Sequence, residues 1–234
     1  LGAPDLRIFD CTTFLSPTPD NAGLEVGSGR AGYEDGHIPG AAFLDLANDL
    51  SDRSSPHRFA VLGPEAFAEA AGRLGIGAGT RVVLYDRTYG AWGARVWWML
   101  RTFGHEDVAV LDGGIAAWRR AALSLEAGPA APAPAVPPYP VQLNRAMVRT
   151  AADVAAWLAA DGQLADARPA ARFQGEAAEP RPGVRSGHMP GARSLPWNSM
   201  VDADGLLLPP DQLRARFAAA GLEPTAPLVC SCGS

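Results

Sequence analysis

The chain has 234 residues, 47 % apolar and 19 % charged, enough for the packed core of one large domain or two small ones. With 20 Lys and Arg against 25 Asp and Glu, its net charge of −5 lacks the basic footprint of a nucleic-acid or membrane-surface binder. No stretch reaches the ~18 consecutive apolar residues of a membrane span, and the opening LGAPDLRIFD has neither the basic nor the apolar region of a signal peptide. Three cysteines, Cys11, Cys230 and Cys232, form no C-x-x-C pair. They point to neither a disulfide framework nor a zinc site, and they suit a reducing cytoplasm.

In chain order, LRIFD (Leu6–Asp10) reads as a buried strand, and Gly36 to Ala41 (GHIPGA) as a turn. GPEAFAEAAGRLGI has the pattern of a helix closed by glycine. RVVLYD (Arg81–Asp86) is a short apolar run of the parallel-sheet kind. Gly75, Gly77 and Gly79 precede that strand instead of following it, the wrong context for a dinucleotide-binding loop. AWGARVWWMLRTFG is a second helix, VAVLD (Val108–Asp112) a third strand, and IAAWRRA a helix after Gly113-Gly114. Trp92, Trp97, Trp98 and Trp118 fall on these helices and read as core or interface. Strands alternating with helices predict an α/β fold with a parallel sheet. Residues 127–140, AGPAAPAPAVPPYP, favour extended polyproline II, able to reach roughly 40 Å at ~3.1 Å per residue.

The second half repeats the first. GHIPGA at Gly36 returns as GHMPGA at Gly187, 151 positions on; FAEAAGRLGIGAGTRVVLYD, ending at Asp86, aligns with LRARFAAAGLEPTAPLVCSC, ending at Cys232, 146 positions on; LRIFD, ending at Asp10, aligns with GQLAD, ending at Asp166. Three matches in one order predict a duplicated domain: residues 1–126, a connection over 127–140, and 141–234. The first copy runs some 40 residues past Asp86. The second stops two residues past Cys232, so it is expected to be incomplete, without its last helices or its counterpart of VAVLD.

Cys232 ends an apolar run, ahead of Gly233 and Ser234. In that position it reads as a nucleophile whose thiolate is favoured by loop N–H groups and a following helix, or as a buried structural thiol. The first copy has Asp86 there, which cannot serve as a sulfur nucleophile and is expected to order its own loop. Cys230, two residues earlier, faces the same side of the strand and reads as a packed thiol. Cys11 reads as structural. His37 and His188 occupy the same turn in both copies, including the one without the cysteine, so both read as turn-stabilising.

The sequence resembles the tandem-domain sulfurtransferases, the rhodanese and 3-mercaptopyruvate sulfurtransferase group. The resemblance is carried by GRAGYEDGHIPGAAFLDL, RVWWMLRTFGHEDVAVLDGGIAAW, DARPAARFQGEAAEPRPGVRSGHMPGA and the closing CGS. It implies two rhodanese-like domains, each a parallel sheet flanked by helices, the first non-catalytic and the second carrying the catalytic cysteine at Cys232. Cys232-Gly233-Ser234 is similar to the mercaptopyruvate branch, with Ser234 as a positioning or proton-relay residue and Gly233 in the substrate loop. Arg172 and Arg181 match the pair that holds the donor's carboxylate and keto oxygen, a task suited to the planar guanidinium fork. The branch also implies an acid and a histidine near Ser51 to Pro56. Asp49 and His57 are the candidates here, with Phe59 standing where the histidine is expected.

The implied activity moves sulfane sulfur from 3-mercaptopyruvate through a Cys232 persulfide to cyanide or a thiol, such as a thioredoxin-like protein, releasing pyruvate. No metal or organic cofactor is implied. The rival readings are a thiosulfate:cyanide sulfurtransferase, a cysteine phosphatase, and a non-enzymatic sulfur-carrier or protein-binding module.

Overall fold

In the computed structural model, residues 3–19, 23–130, 133–180 and 183–232 are described. The chain divides into two compact units, Leu1–Leu15 with Val26–Val148, and Ser16–Glu25 with Arg149–Ser234.

The first unit is built on β1 (Leu6–Asp10). β2 (Thr13–Pro17) and β3 (Leu24–Ser28), whose residues are divided between the two units, follow as a two-stranded ribbon. Next come α1 (Arg30–Asp35), β4 (Ala41–Phe43), α2 (Leu46–Asp49), α3 (Pro64–Arg73), β5 (Arg81–Tyr85), α4 (Ala91–Thr102), β6 (Val108–Val110) and α5 (Gly114–Arg120). The sheet order is β4-β1-β5-β6, all parallel. Side chains alternate across it. Phe9 and Leu84 enter a cluster with Phe67, Val96 and Met99 from α3 and α4, while Ile8 and Tyr85 enter another with Ile38 and Ile115. Burial on both faces explains why these strands read as continuous apolar runs.

The proline-rich segment lies along this unit. Val136 N donates to Gly72 O (3.0 Å), and just beyond the segment Gln142 N donates to Phe103 O (3.2 Å) and Asn144 N to Thr102 O (2.7 Å). Tyr139 is buried and meets His105 at 5.4 Å between ring centroids.

The second unit contains α6 (Ala151–Ala159), β7 (Gln163–Asp166), α7 (Ala170–Gln174), β8 (Arg193–Ser194), α8 (Pro210–Ala219) and β9 (Leu228–Ser231). α6 starts in a capping box, with Thr150 and Asp153 each satisfying the other's backbone N–H. Its parallel sheet runs β8-β7-β9, over a small core of Ala165, Leu195 and Leu222.

The two sheets share one register. Asp10 pairs with Phe43 and Tyr85; Asp166 pairs with Ser194 and Ser231. The next bonds agree as well: Cys11 N to Tyr85 O and Leu44 N to Asp10 O in the first unit, Ala167 N to Ser231 O and Leu195 N to Asp166 O in the second. Asp86 and Cys232 therefore each stand one residue beyond the partner of the strand-ending aspartate.

Candidate active site

Just past the end of β9, the exposed Cys232 opens onto a cleft of about 390 Å³. Asp166, Arg168, Glu179, Arg185, Ser231 and the turn from Gly187 to Pro190 line it with Cys232.

A chain of alternating charges forms its floor. Arg168 donates from Nε and Nη2 to Asp166 (2.5–3.1 Å), from Nη1 to Glu179 Oε1 (2.8 Å) and from Nη2 to the Gly187 carbonyl (2.8 Å). Arg172 grips the same Glu179 with two parallel bonds, Nε to Oε1 (3.1 Å) and Nη2 to Oε2 (2.6 Å). Burial pushes the Asp166 carboxyl up, but the Arg168 bonds outweigh it and hold it below the usual carboxylate range. Glu179 is held low by its hydrogen bond to Arg172, against burial, with the charges of both arginines adding to the effect.

The GHxPGA turns share one construction. His37 Nδ1 meets Tyr33 O at 3.0 Å, and its ring stacks on Tyr33 at 4.1 Å. His188 Nδ1 meets Phe173 O at 2.8 Å, and its ring stacks on Phe173 at 3.7 Å. A carbonyl only accepts, so Nδ1 carries the proton in both rings. Each imidazole is held by the backbone carbonyl and the ring of one residue, which is a structural task, and His37 Nε2 also lies 3.8 Å from Glu126 Oε2. An arginine also ties down the first glycine of each turn: Arg87 Nη2 reaches Gly36 O at 2.6 Å, as Arg168 reaches Gly187 O.

The first unit shows what the strand-end loop does with an anion. Asp86 Oδ1 accepts from Thr88 N (2.7 Å) and Gly90 N (3.0 Å), and Oδ2 from Trp92 N and Gly93 N (both 2.9 Å). Four backbone N–H groups at the start of α4 thus enclose one carboxylate, with the helix dipole adding to the field. Glycine is required around it: Gly90 has φ +79°, and a Cβ on Gly114 would lie 2.3 Å from Asp86 O. Asp86 orders its own loop, as expected.

Of the residues singled out in the sequence, Cys232 lies in the cleft, while Arg181, Gly233 and Ser234 lie outside the described residues. Arg172 is engaged with Glu179, leaving Nη1 without a hydrogen bond among the described residues. Asp49 Oδ2 accepts from Asp45 N (2.8 Å), and the exposed His57 makes no side-chain bond to it among the described residues. Phe59 is buried against Trp92. Cys11 is fully buried, and burial drives its thiol well up. Cys230 lies in β9 at the position that Leu84 holds in β5, and burial pushes its thiol above the ordinary value. Two residues escaped the sequence reading. Arg168 was signalled by its place two residues after Asp166, and Arg185, exposed and without an ion pair among the described residues, by its nearness to the second turn. No group of three or more His, Cys, Asp or Glu suited to a metal occurs among the described residues, nor any helix long and apolar enough to cross a membrane.

Comparison with known proteins agrees with this architecture. The Rhodanese-like domain family matches residues 1–121. Human 3-mercaptopyruvate sulfurtransferase is 43 % identical over 232 residues, covering 98 % of this chain and 75 % of the human protein. Bovine thiosulfate sulfurtransferase is 34 % identical over 233 residues, covering 98 % of this chain and 75 % of the bovine one. The crystal structure of SseA from Escherichia coli, a 3-mercaptopyruvate enzyme, superposes with a TM-score of 0.81 at 35 % identity, over 98 % of this chain and 82 % of that one. The chain belongs to the rhodanese-like sulfurtransferase family.

Proposed function

We propose that the chain is a 3-mercaptopyruvate sulfurtransferase working through a persulfide on Cys232. The observation that carries this reading is the position of Cys232, equivalent in register to Asp86, whose carboxylate rests in four backbone N–H groups. The repeat that holds a carboxylate in one unit suits an anionic sulfur in the other. In this reading residues 1–126 are the non-catalytic domain, 127–140 the connection and 141–234 the catalytic domain.

The Cys232 thiolate attacks the donor sulfur. The carbon–sulfur bond breaks, its electron pair goes to the methylene carbon, and the enolate takes up the proton released from the donor thiol to give pyruvate. Arg172 and Arg181 hold the donor's carboxylate and keto oxygen, while Gly233 and Ser234 shape the loop around the sulfur. A second thiolate, from a thioredoxin-like protein or a small thiol, or else cyanide, then attacks the outer sulfur and restores Cys232. Splitting the transfer in this way is nucleophilic catalysis by residues of the chain itself. A reducing cytoplasm suits a protein that depends on this thiol.

Thiosulfate is the second candidate donor. Asp166 and Glu179 line the cleft and neutralise Arg168 and Arg172. That charge balance accommodates a monoanionic keto acid better than a dianion. Measuring kcat/KM for both donors with one acceptor tests the choice. A preference for 3-mercaptopyruvate of about tenfold or more is expected; a preference for thiosulfate would overturn it.

A further inference from the structure

The stacked histidines align the two units: His37 on Tyr33 of α1, His188 on Phe173 of α7. Two residues separate Tyr33 from Gly36, but thirteen separate Phe173 from Gly187, so residues 174–186 hold an insertion that the first unit lacks. Glu179 lies in it. The residue before each ring differs too. Arg172 precedes Phe173, whereas Gly32 precedes Tyr33, and a Cβ on Gly32 would lie 3.3 Å from Arg87 Nε. Both units tie the strand-ending aspartate to the turn through one arginine: Arg87 meets Asp10 and Gly36 O, and Arg168 meets Asp166 and Gly187 O. That link occurs in the unit without a strand-end cysteine, so it is structural. The Glu179–Arg172 pair has no counterpart there, and Glu179 lines the same cleft as Cys232.

We infer that Glu179 is a positioning residue for the donor: it holds the Arg172 guanidinium so that the end of its fork is left for the donor carboxylate. This rests on the sulfur-transfer reading above and on Arg172 as the donor's ligand. An arginine carries five N–H donors in one rigid plane. Glu179 takes one edge of it, Nε through Oε1 (3.1 Å) and Nη2 through Oε2 (2.6 Å), and so fixes the plane. Nη1 makes no hydrogen bond among the described residues. It stands beside the second N–H of Nη2, and together they form the fork that a carboxylate grips in two parallel bonds. Glu179 is itself held, because Oε1 also accepts from Arg168 Nη1 (2.8 Å), which ties it to Asp166 and the turn. Its side chain is 4 % exposed. A buried ion pair gains little stability over apolar packing. A guanidinium aimed in advance spares the cost of ordering a long side chain when the donor binds.

The test is steady-state kinetics of the full chain with 3-mercaptopyruvate as donor and cyanide as acceptor. The variants are Glu179→Gln, Glu179→Asp, Arg172→Ala and the double variant Glu179→Gln/Arg172→Ala. In a two-stage transfer, kcat/KM for each substrate reports its own stage. Glu179→Gln keeps the size of the side chain but turns an N–H donor toward Arg172. Its kcat/KM for 3-mercaptopyruvate is expected to fall about tenfold or more, while that for cyanide, which has no carboxylate, changes by less than about threefold. Glu179→Asp keeps the charge but draws it back by one methylene, and it should show a smaller loss of the same kind. Added to Arg172→Ala, Glu179→Gln should lower the donor value by less than about twofold, because Glu179 acts through Arg172. An equal further loss in that background, an equal loss for donor and cyanide, or a donor value unchanged in both Glu179 variants would overturn the positioning role and leave the persulfide enzyme standing. If Glu179→Gln fails to fold, Glu179→Asp carries the same comparisons. No pyruvate from the wild type would remove the sulfur-transfer reading, and this role with it.

Discussion

Asp10 and Asp166 end equivalent strands, yet their carboxyls are shifted in opposite directions. Burial raises Asp10 beyond what Thr12 and Arg87 recover, whereas the Arg168 bonds pull Asp166 below its ordinary value despite burial. The cause is geometric. Arg87 Nε lies 3.4 Å from Asp10 Oδ2, and neither atom has a hydrogen-bond partner; Arg168 makes three bonds to Asp166 within 3.1 Å.

The two units should therefore answer acid differently. Asp166 and Glu179, lowered in the fold, contribute stability that is complete above the unfolded carboxylate range and is lost as pH falls through their folded values. Asp10, raised, costs stability at neutral pH, and that cost is relieved as it protonates. Hydrogen exchange followed from about pH 6 to pH 3 should show β7 losing protection while β1 keeps it. Earlier loss in β1 would contradict the assignment.

Glu179 is the shared anchor of two arginines, and its side chain is 4 % exposed. Glu179→Ala should destabilise the second unit by about 3 kcal/mol, because it strands two guanidinium groups. Arg172→Ala should cost less stability and raise KM for the keto-acid donor about tenfold or more, with kcat changed less. Chemical denaturation and steady-state kinetics read the two effects separately.

Asp86→Ala would empty the anion cradle and leave four inward-facing N–H groups without their acceptor. A loss of about 3 kcal/mol is expected in the first unit. Asp86→Asn, which retains one carbonyl oxygen, should lose less. Thermal unfolding of both variants checks the order.

His188→Ala should behave as a structural lesion. Removing one backbone hydrogen bond and one ring stack costs about 1–2 kcal/mol, and the equivalent His37→Ala should cost at least as much, since His37 is buried. At 25 °C, kcat of His188→Ala should stay within a few-fold of wild type. A kcat falling about a hundredfold in a folded variant would make the imidazole a proton carrier.

Much of this was legible in the chain. LRIFD and RVVLYD read as strands because both faces are buried, and the separations of the repeat, 151 between the turns and 146 between the strand ends, reappear as shared register. β4 and β8, three and two residues long, are too short for any periodicity to show. The proline-rich segment reads as a free spacer from composition. Its docking depends on Tyr139 and on the backbone bond from Val136 to Gly72, which no pattern announces. At the site, the cysteine was visible from its strand-end position. The pairing of Arg168 was not, because partner choice among Asp166, Glu176 and Glu179 is settled only when the loops fold.

The most direct measurement is the pyruvate formed when the full chain meets excess 3-mercaptopyruvate without an acceptor. The account predicts a burst of roughly one equivalent per chain, absent in Cys232→Ser. No burst, or an equal burst in Cys232→Ser, would contradict it.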